Sequence, residues 1–344
     1  MATVSIYGVS CTVNAITTLI TSALISTPAA VAFDAAGNLY SGQYGNNDIN
    51  IMPAATAAVF GVSCTQNTFK TLWTTSLSGP LGVSFDPAGN LYISNYGGSN
   101  HLMVLPKASG TIFGHSVTAN TLYTLATGLS AQRAARMDSA GNLWALSGTT
   151  LSVIPVSTGT LFGVSVTANT LTSVITSGLT LATDLCFDSA GNMYIADYSA
   201  AKIWVLPLAT GTIFGQSVTA NTLHSLGAVT GASGCCMDPA GNLYIGSAGG
   251  SNTVQVISAT TTTLYGVSCT ANTMKTLISV GAASSYVSLD TAGNLYISGS
   301  GIIYVLAAAA WPPVPSYTGA ASQAVAFAAS ASVPVSSAFL SFFP

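Results

Sequence analysis

Six copies of one short phrase, Asp-x-Ala-Gly-Asn-Leu-Tyr or a near variant, run through this chain. They begin at Asp34, Asp86, Asp138, Asp188, Asp238 and Asp290, at intervals of 52, 52, 50, 50 and 52 residues. A fixed period of this length marks a repeat architecture, because each unit is too small to bury its own apolar face and must stack on its neighbours. The phrase also uses up most of the acids. The chain has nine Asp and no Glu, and six of the nine are these turn anchors.

The second repeat shows how a unit is built. Leu81-Gly-Val-Ser-Phe85 is short and apolar and reads as a buried strand. Asp86-Pro-Ala-Gly89 suits a type I turn, with Asp first, Pro second and Gly fourth. Residues 90–94 form a second strand, 102–105 a third and 122–125 a fourth. Four short antiparallel strands per repeat make one propeller blade. Between the third and fourth strands lies a second recurrent phrase, around Tyr7-Gly8, Phe60-Gly61, Phe113-Gly114, Phe162-Gly163, Phe214-Gly215 and Tyr265-Gly266. It reads as a hairpin flap covering the outer edge of each blade, where an exposed strand invites aggregation.

The chain opens with this flap phrase and a fourth strand, and its last repeat stops after three strands near Leu306. The expected fold is therefore all-β: a six-bladed β-propeller of four-stranded antiparallel blades. The N-terminal strand closes the last blade, and an extended C-terminal tail follows. The expected division is a propeller over 1–306, an Ala/Pro-rich spacer over 307–315 and an uncharged apolar tail over 316–344. Ile16 to Ile25 is apolar but lacks a basic leader and aligns with repeat sequence, so it reads as blade rather than signal peptide. No run of 18 apolar residues predicts a transmembrane helix.

These repeats resemble the NHL-repeat family of β-propellers. The carrying stretches are Gly82-Val-Ser-Phe-Asp-Pro-Ala-Gly-Asn-Leu-Tyr-Ile-Ser-Asn-Tyr-Gly97 and Phe187-Asp-Ser-Ala-Gly-Asn-Met-Tyr-Ile-Ala-Asp-Tyr198. The resemblance implies a propeller that binds other macromolecules; some related six-bladed propellers are lyases or lactonases. The chain departs from the family pattern in its longer, flap-bearing repeat and its scarcity of basic residues after the second strand.

Charged residues make up 4% of the chain, against about 25% in a typical soluble protein. Six Lys or Arg and a net charge of −3 supply no basic stripe for nucleic acid. A nearly neutral surface lacks the repulsion that keeps molecules apart, so composition predicts a non-catalytic structural or adhesive protein at an extracellular or virion surface. In that reading it self-associates, as a homo-oligomer or a fibre, through its faces and its tail. The tail residues expected to carry assembly are Trp311, Val325, Phe327, Phe339, Phe342 and Phe343. A monomeric glycan- or protein-binding module is the alternative, and a propeller lactonase or lyase a second one.

In a propeller, the turns after strand two and before strand one share a face. Tyr44, Asn95, Tyr96, Asp197 and Tyr198 are expected there, with Arg133 and Asp184 where the first strands begin. Tyrosines beside amides suit glycan or protein surfaces, since the ring offers apolar area and the hydroxyl a hydrogen bond; the same residues also suit turns for purely local reasons. Arg136 and Asp184 lie on adjacent inner strands and are read as a salt bridge beside the channel, or else as a general acid or an anion site. With no Glu and scattered His101, His115 and His224, no metal centre and no cofactor are expected. Cys11, Cys64 and Cys269 share one flap position and read as small apolar residues. Cys186 and Cys236 lie near the axis, at the margin of bridging range.

Overall fold

The computed structural model describes residues 2–98, 100–250, 252–281 and 284–309, and over these it is built of strands without helices. Six four-stranded antiparallel sheets repeat one plan. Blade 2 runs Pro80–Phe85, Leu91–Asn95, His101–Leu105 and Tyr123–Ala126. The inner strands of neighbouring blades touch in sequence round the molecule, and that of the last blade returns to the first. The ring is thus closed, and the expected fold is the observed one.

The closure is made by hydrogen bonds. Ile16–Thr21 lies antiparallel to Ile302–Leu306, with Ile16 opposite Leu306 and Thr21 opposite Ile302. This pairing supplies the fourth strand of the last blade from the start of the chain and so ties the two ends of the ring together. The tail, with Trp311, Val325, Phe327, Phe339, Phe342 and Phe343, lies outside the described residues.

The anchors explain why each repeat folds alike. In all six, the Asp Oδ1 accepts the backbone N–H of the Asn four residues on. Oδ2 accepts that Asn side-chain amide and the hydroxyl of the following Tyr, or Nε1 of Trp144 in blade 3. The Asn Oδ1 in turn takes the N–H just past strand three, as Lys107 N–H does to Asn90 at 3.0 Å. Gly89, at φ +84°, completes the three-residue loop after Asp86 that only a left-handed residue allows. A carboxylate so surrounded makes strong, charge-assisted bonds, which is why Asp recurs where the rest of the chain is uncharged.

Both faces of each blade are covered, so the inner strands read as continuous apolar runs. Six apolar clusters result, one between each pair of neighbouring blades. The flap phrase forms a separate two-stranded hairpin in every repeat. Its tip does more than cover an edge. Phe113 (φ +45°) and Gly114 (φ +79°) make a tight turn with both central residues left-handed. The Phe113 ring then packs edge-on against Tyr92, 6.4 Å between centroids. Each flap glycine also faces an Asn of the next flap, from Gly8 and Asn67 round to Gly266 and Asn14, so the flaps form a second closed ring.

All six cysteines are free and buried. Cys11, Cys64 and Cys269 sit as small core residues, each thiol donating to a carbonyl two residues back. Near the axis, Cys186 faces Cys235 rather than Cys236.

Candidate functional site in the channel

Two tiers of buried residues recur on one face of the inner strands. Four residues before each anchor stand Ala30, Gly82, Ala134, Asp184, Gly234 and Tyr286; two before it stand Ala32, Ser84, Arg136, Cys186, Cys236 and Ser288. In a chain with so little charge, Arg136 and Asp184 stand out. Arg136 Nη2 lies 2.8 Å from Asp184 Oδ1, and the two side chains are 3% and 0% exposed. Buried charge persists only when paired and hydrogen-bonded, and here the inner strand edges supply the bonds. Arg136 Nη1 donates to the carbonyls of Val83 and Ala135 at 3.1 and 3.0 Å. Asp184 Oδ1 accepts Leu185 N–H at 2.9 Å, and Oδ2 accepts Cys235 N–H at 3.3 Å. The pair therefore spans inner strands of blades 2, 3, 4 and 5.

The bonding is incomplete in an informative way. Arg136 Nε is buried without a partner, as are Arg133 Nε and the Ser84 and Ser288 hydroxyls. Asp184 Oδ2 has one long bond. Burial pushes the Asp184 carboxyl up to about 6, although Arg136 and the N–H groups of Leu185 and Cys235 act to lower it. Tyr286 completes the group: burial raises its hydroxyl pKa, and its surroundings include Asp184, Arg133 and Arg136. A carboxyl near neutrality beside a fixed guanidinium can take up a proton and hold developing negative charge.

The face above carries the other expected residues. Tyr44 is 42% and Tyr198 37% exposed. The Tyr44 and Tyr96 rings pack tilted by 58° with centroids 5.8 Å apart, and the Arg133 guanidinium lies over Tyr96 at 4.9 Å. Asn95 and Asp197, with Gln43, end equivalent second strands and clamp the loop before the inner strand. Ser26 N–H donates to Gln43, Ser78 N–H to Asn95 and Thr180 N–H to Asp197. Burial acts to raise the Asp197 pKa, but bonds from Leu181, Thr180 and Ala200 outweigh it and hold the carboxyl below its usual range. Asp197 is thus engaged by its own loop. The structure brings Tyr44, Tyr96 and Arg133 together and pairs Asp184 with Arg136; Tyr198 sits apart, against Gly249.

Sequence reasoning missed Tyr286 and Cys235. The signal for Tyr286 was its place in the same repeat position as Asp184. Among the described residues, no three His, Cys, Asp or Glu side chains converge to hold a metal ion, and no helix is long and apolar enough to cross a membrane. A cleft of about 430 Å³ at the junction of blades 6 and 1, lined by Tyr7, Asn67, Asp290 and Tyr296 among others, holds an acid already engaged by its anchor bonds.

No family model and no curated protein matches the chain. Solved structures do. A gluconolactonase from Xanthomonas campestris superposes with a TM-score of 0.57 at 14% identity, over 84% of this chain and 88% of its own. A streptogramin B lyase gives 0.54 at 12%, over 85% and 96%. A chain of a nidogen/laminin complex gives 0.53 at 13%, over 76% and 84%. At such identities the likeness shows the fold. It nonetheless corrects the expectation of a non-catalytic structural or adhesive protein, because enzymes stand among the propellers most like this one. That expectation rested on the acid inventory, which sought a convergent set of ligands. The chain is similar to six-bladed propellers that include a lactonase and a lyase.

Proposed function

We propose that this chain is a propeller enzyme of lactonase or lyase type, cleaving an ester bond in a small molecule at the Arg136–Asp184 pair. The observation that carries the reading is the pair itself, a carboxyl pushed up to about 6 beside a buried guanidinium with an unpartnered Nε. The likeness to a gluconolactonase and a lyase supports it. The repeat phrase supports placing the blades in the NHL-like class.

In this reading, an opening that admits water and the ester to the buried pair precedes the chemistry; Asp184 Oδ2 then takes a proton from water and the hydroxide adds to the ester carbonyl carbon. Arg136 holds the charge that forms on the carbonyl oxygen. The carbon–oxygen bond of the ester then breaks, and the proton passes from Asp184 to the departing oxygen, leaving a carboxylate. Tyr286, kept protonated by burial, orients the reacting group by donating its O–H. The test is proton release from D-glucono-δ-lactone and a panel of cyclic esters, with and without added divalent cation. Turnover that falls at least a hundredfold in Asp184→Asn is expected. No turnover on any member, or undiminished turnover in that variant, overturns the assignment.

A further inference from the structure

Tyr44, Tyr96 and Arg133 come from three consecutive blades and form one cluster, with the two rings tilted by 58° at 5.8 Å and the Arg133 guanidinium 4.9 Å from the Tyr96 centroid. The cluster is set in place. A Cβ on Gly79 would meet Cδ2 and Cε2 of Tyr44 at 2.9 Å, so the Tyr44 ring rests on backbone, while 42% of the residue stays open to solvent. Gly79 itself is fixed, at φ +56°, by donating its N–H to Asn47. Arg133 is half-buried, with its guanidinium 4.9 Å from the Tyr96 ring centroid, and its Nε is buried without a partner. A guanidinium is a planar fork of N–H groups that a carboxylate matches with two parallel bonds. Arg136 Nε, deeper and also unpartnered, adds a second donor. With Asp184 as the acid beside two arginines, the group carries one excess positive charge.

We infer that this cluster is a substrate subsite for a carboxylate borne on a flat ring, with the carboxylate on Arg133 and the ring on Tyr44. The inference rests on the proposed cleavage reading and names its substrate class. A ring face, aromatic or pyranose, covers the open side of Tyr44, and the carboxylate meets a guanidinium whose buried Nε the fold leaves without a partner. The ester to be cleaved then extends toward Arg136 and Asp184.

Binding of sodium benzoate and sodium glucuronate to the full chain, followed by calorimetry at pH 7, tests this without any need for turnover. One arm reports an aromatic ring and the other a sugar ring. Saturable binding of at least one is expected. It should weaken tenfold or more in Arg133→Met and in Tyr44→Ala, the latter an exposed position that leaves the fold intact, and the neutral benzyl alcohol should not compete. The inference is overturned if neither salt saturates, if either variant binds as the parent does, or if benzyl alcohol binds as well as benzoate. The two readings fail separately. Carboxylate binding that depends on Arg133, in a chain that turns over no ester, removes only the catalytic proposal. Ester turnover with a KM unmoved by Arg133→Met removes only the subsite.

Discussion

Arg136 reaches across from the third blade to place Nη2 2.8 Å from Asp184 Oδ1 on the fourth, and both side chains are sealed from solvent. Removing one member of such a pair leaves the other buried and uncompensated, which costs about 3–5 kcal/mol. Arg136→Met and Asp184→Leu are each expected to lower stability in urea unfolding by that order. The double variant Arg136→Met with Asp184→Leu is expected to lose less than the two single changes together, because no stranded charge remains. Additive losses would mean that the two side chains do not depend on one another.

The same carboxyl sets a pH dependence. Burial holds the Asp184 pKa at about 6, above its ordinary 3.8, so between these values the folded chain binds the proton more tightly than the unfolded one. A folded-state pKa raised in an acid means stability is lost as pH rises through that window. Asp48 acts in the same direction, pushed up to about 6 by burial that its Thr71 hydrogen bond only partly offsets. The parent is therefore expected to lose stability from pH 4 to pH 6.5, and Asp184→Asn to show a shallower slope. Equal slopes would place the titration elsewhere. If Asp184 is the base of the proposed cleavage, turnover should rise over the same range as the carboxylate forms.

Most of the fold was legible because its cause is local and repeated. The Asp of each phrase, the Asn four residues on and the following Tyr are bonded within a single turn, so their spacing alone reports the contact. The phase of the repeats also exposed the closure by Ile16–Thr21. The site was legible only in part. Arg136 and Asp184 could be paired by aligning inner strands, but whether Arg133 lay on Tyr96, or which thiol Cys186 faced, depends on how adjacent blades are offset. No spacing within one repeat encodes that offset. Tyr286 hid for a different reason: a tyrosine in an apolar strand looks like core, and it does pack with Ala30 and Ala32 in the cluster between the first two blades.

The anchor network makes a graded prediction. Tyr92→Phe removes only the 3.0 Å bond to Asp86 Oδ2 and keeps the packed ring. A hydrogen bond to a charged group contributes about 1.5–3 kcal/mol, and a loss of that order is expected. Asp86→Ala strands the Asn90 side-chain amide and N–H together with the Tyr92 hydroxyl, so it should cost more. Thermal unfolding of the two variants beside the parent decides it; an Asp86→Ala chain as stable as Tyr92→Phe would show that the anchor bonds do not hold the turn.

The flap turn separates backbone strain from packing. Gly114 is left-handed at φ +79°, and a Cβ placed there would find its nearest neighbour, in Asn169, at an ordinary 3.6 Å. Gly114→Ala should therefore cost only the conformational penalty of a left-handed non-glycine residue, about 1–2 kcal/mol. Phe113 already bears such a penalty at φ +45°; its ring on Tyr92 offsets the strain. Phe113→Asn relieves the backbone, since Asn tolerates this region, but forfeits the aromatic contact. Burying a Phe side chain contributes about 1.5–3 kcal/mol when complete, so about half of that at the half-burial seen here, and the edge-on contact with Tyr92 adds about 0.5–1.5 kcal/mol; together these outweigh the part of the strain that Asn relieves. A net loss of stability is thus expected for Phe113→Asn in urea unfolding. A gain would mean that the turn tip, rather than the ring it buries, limits how firmly each flap is held.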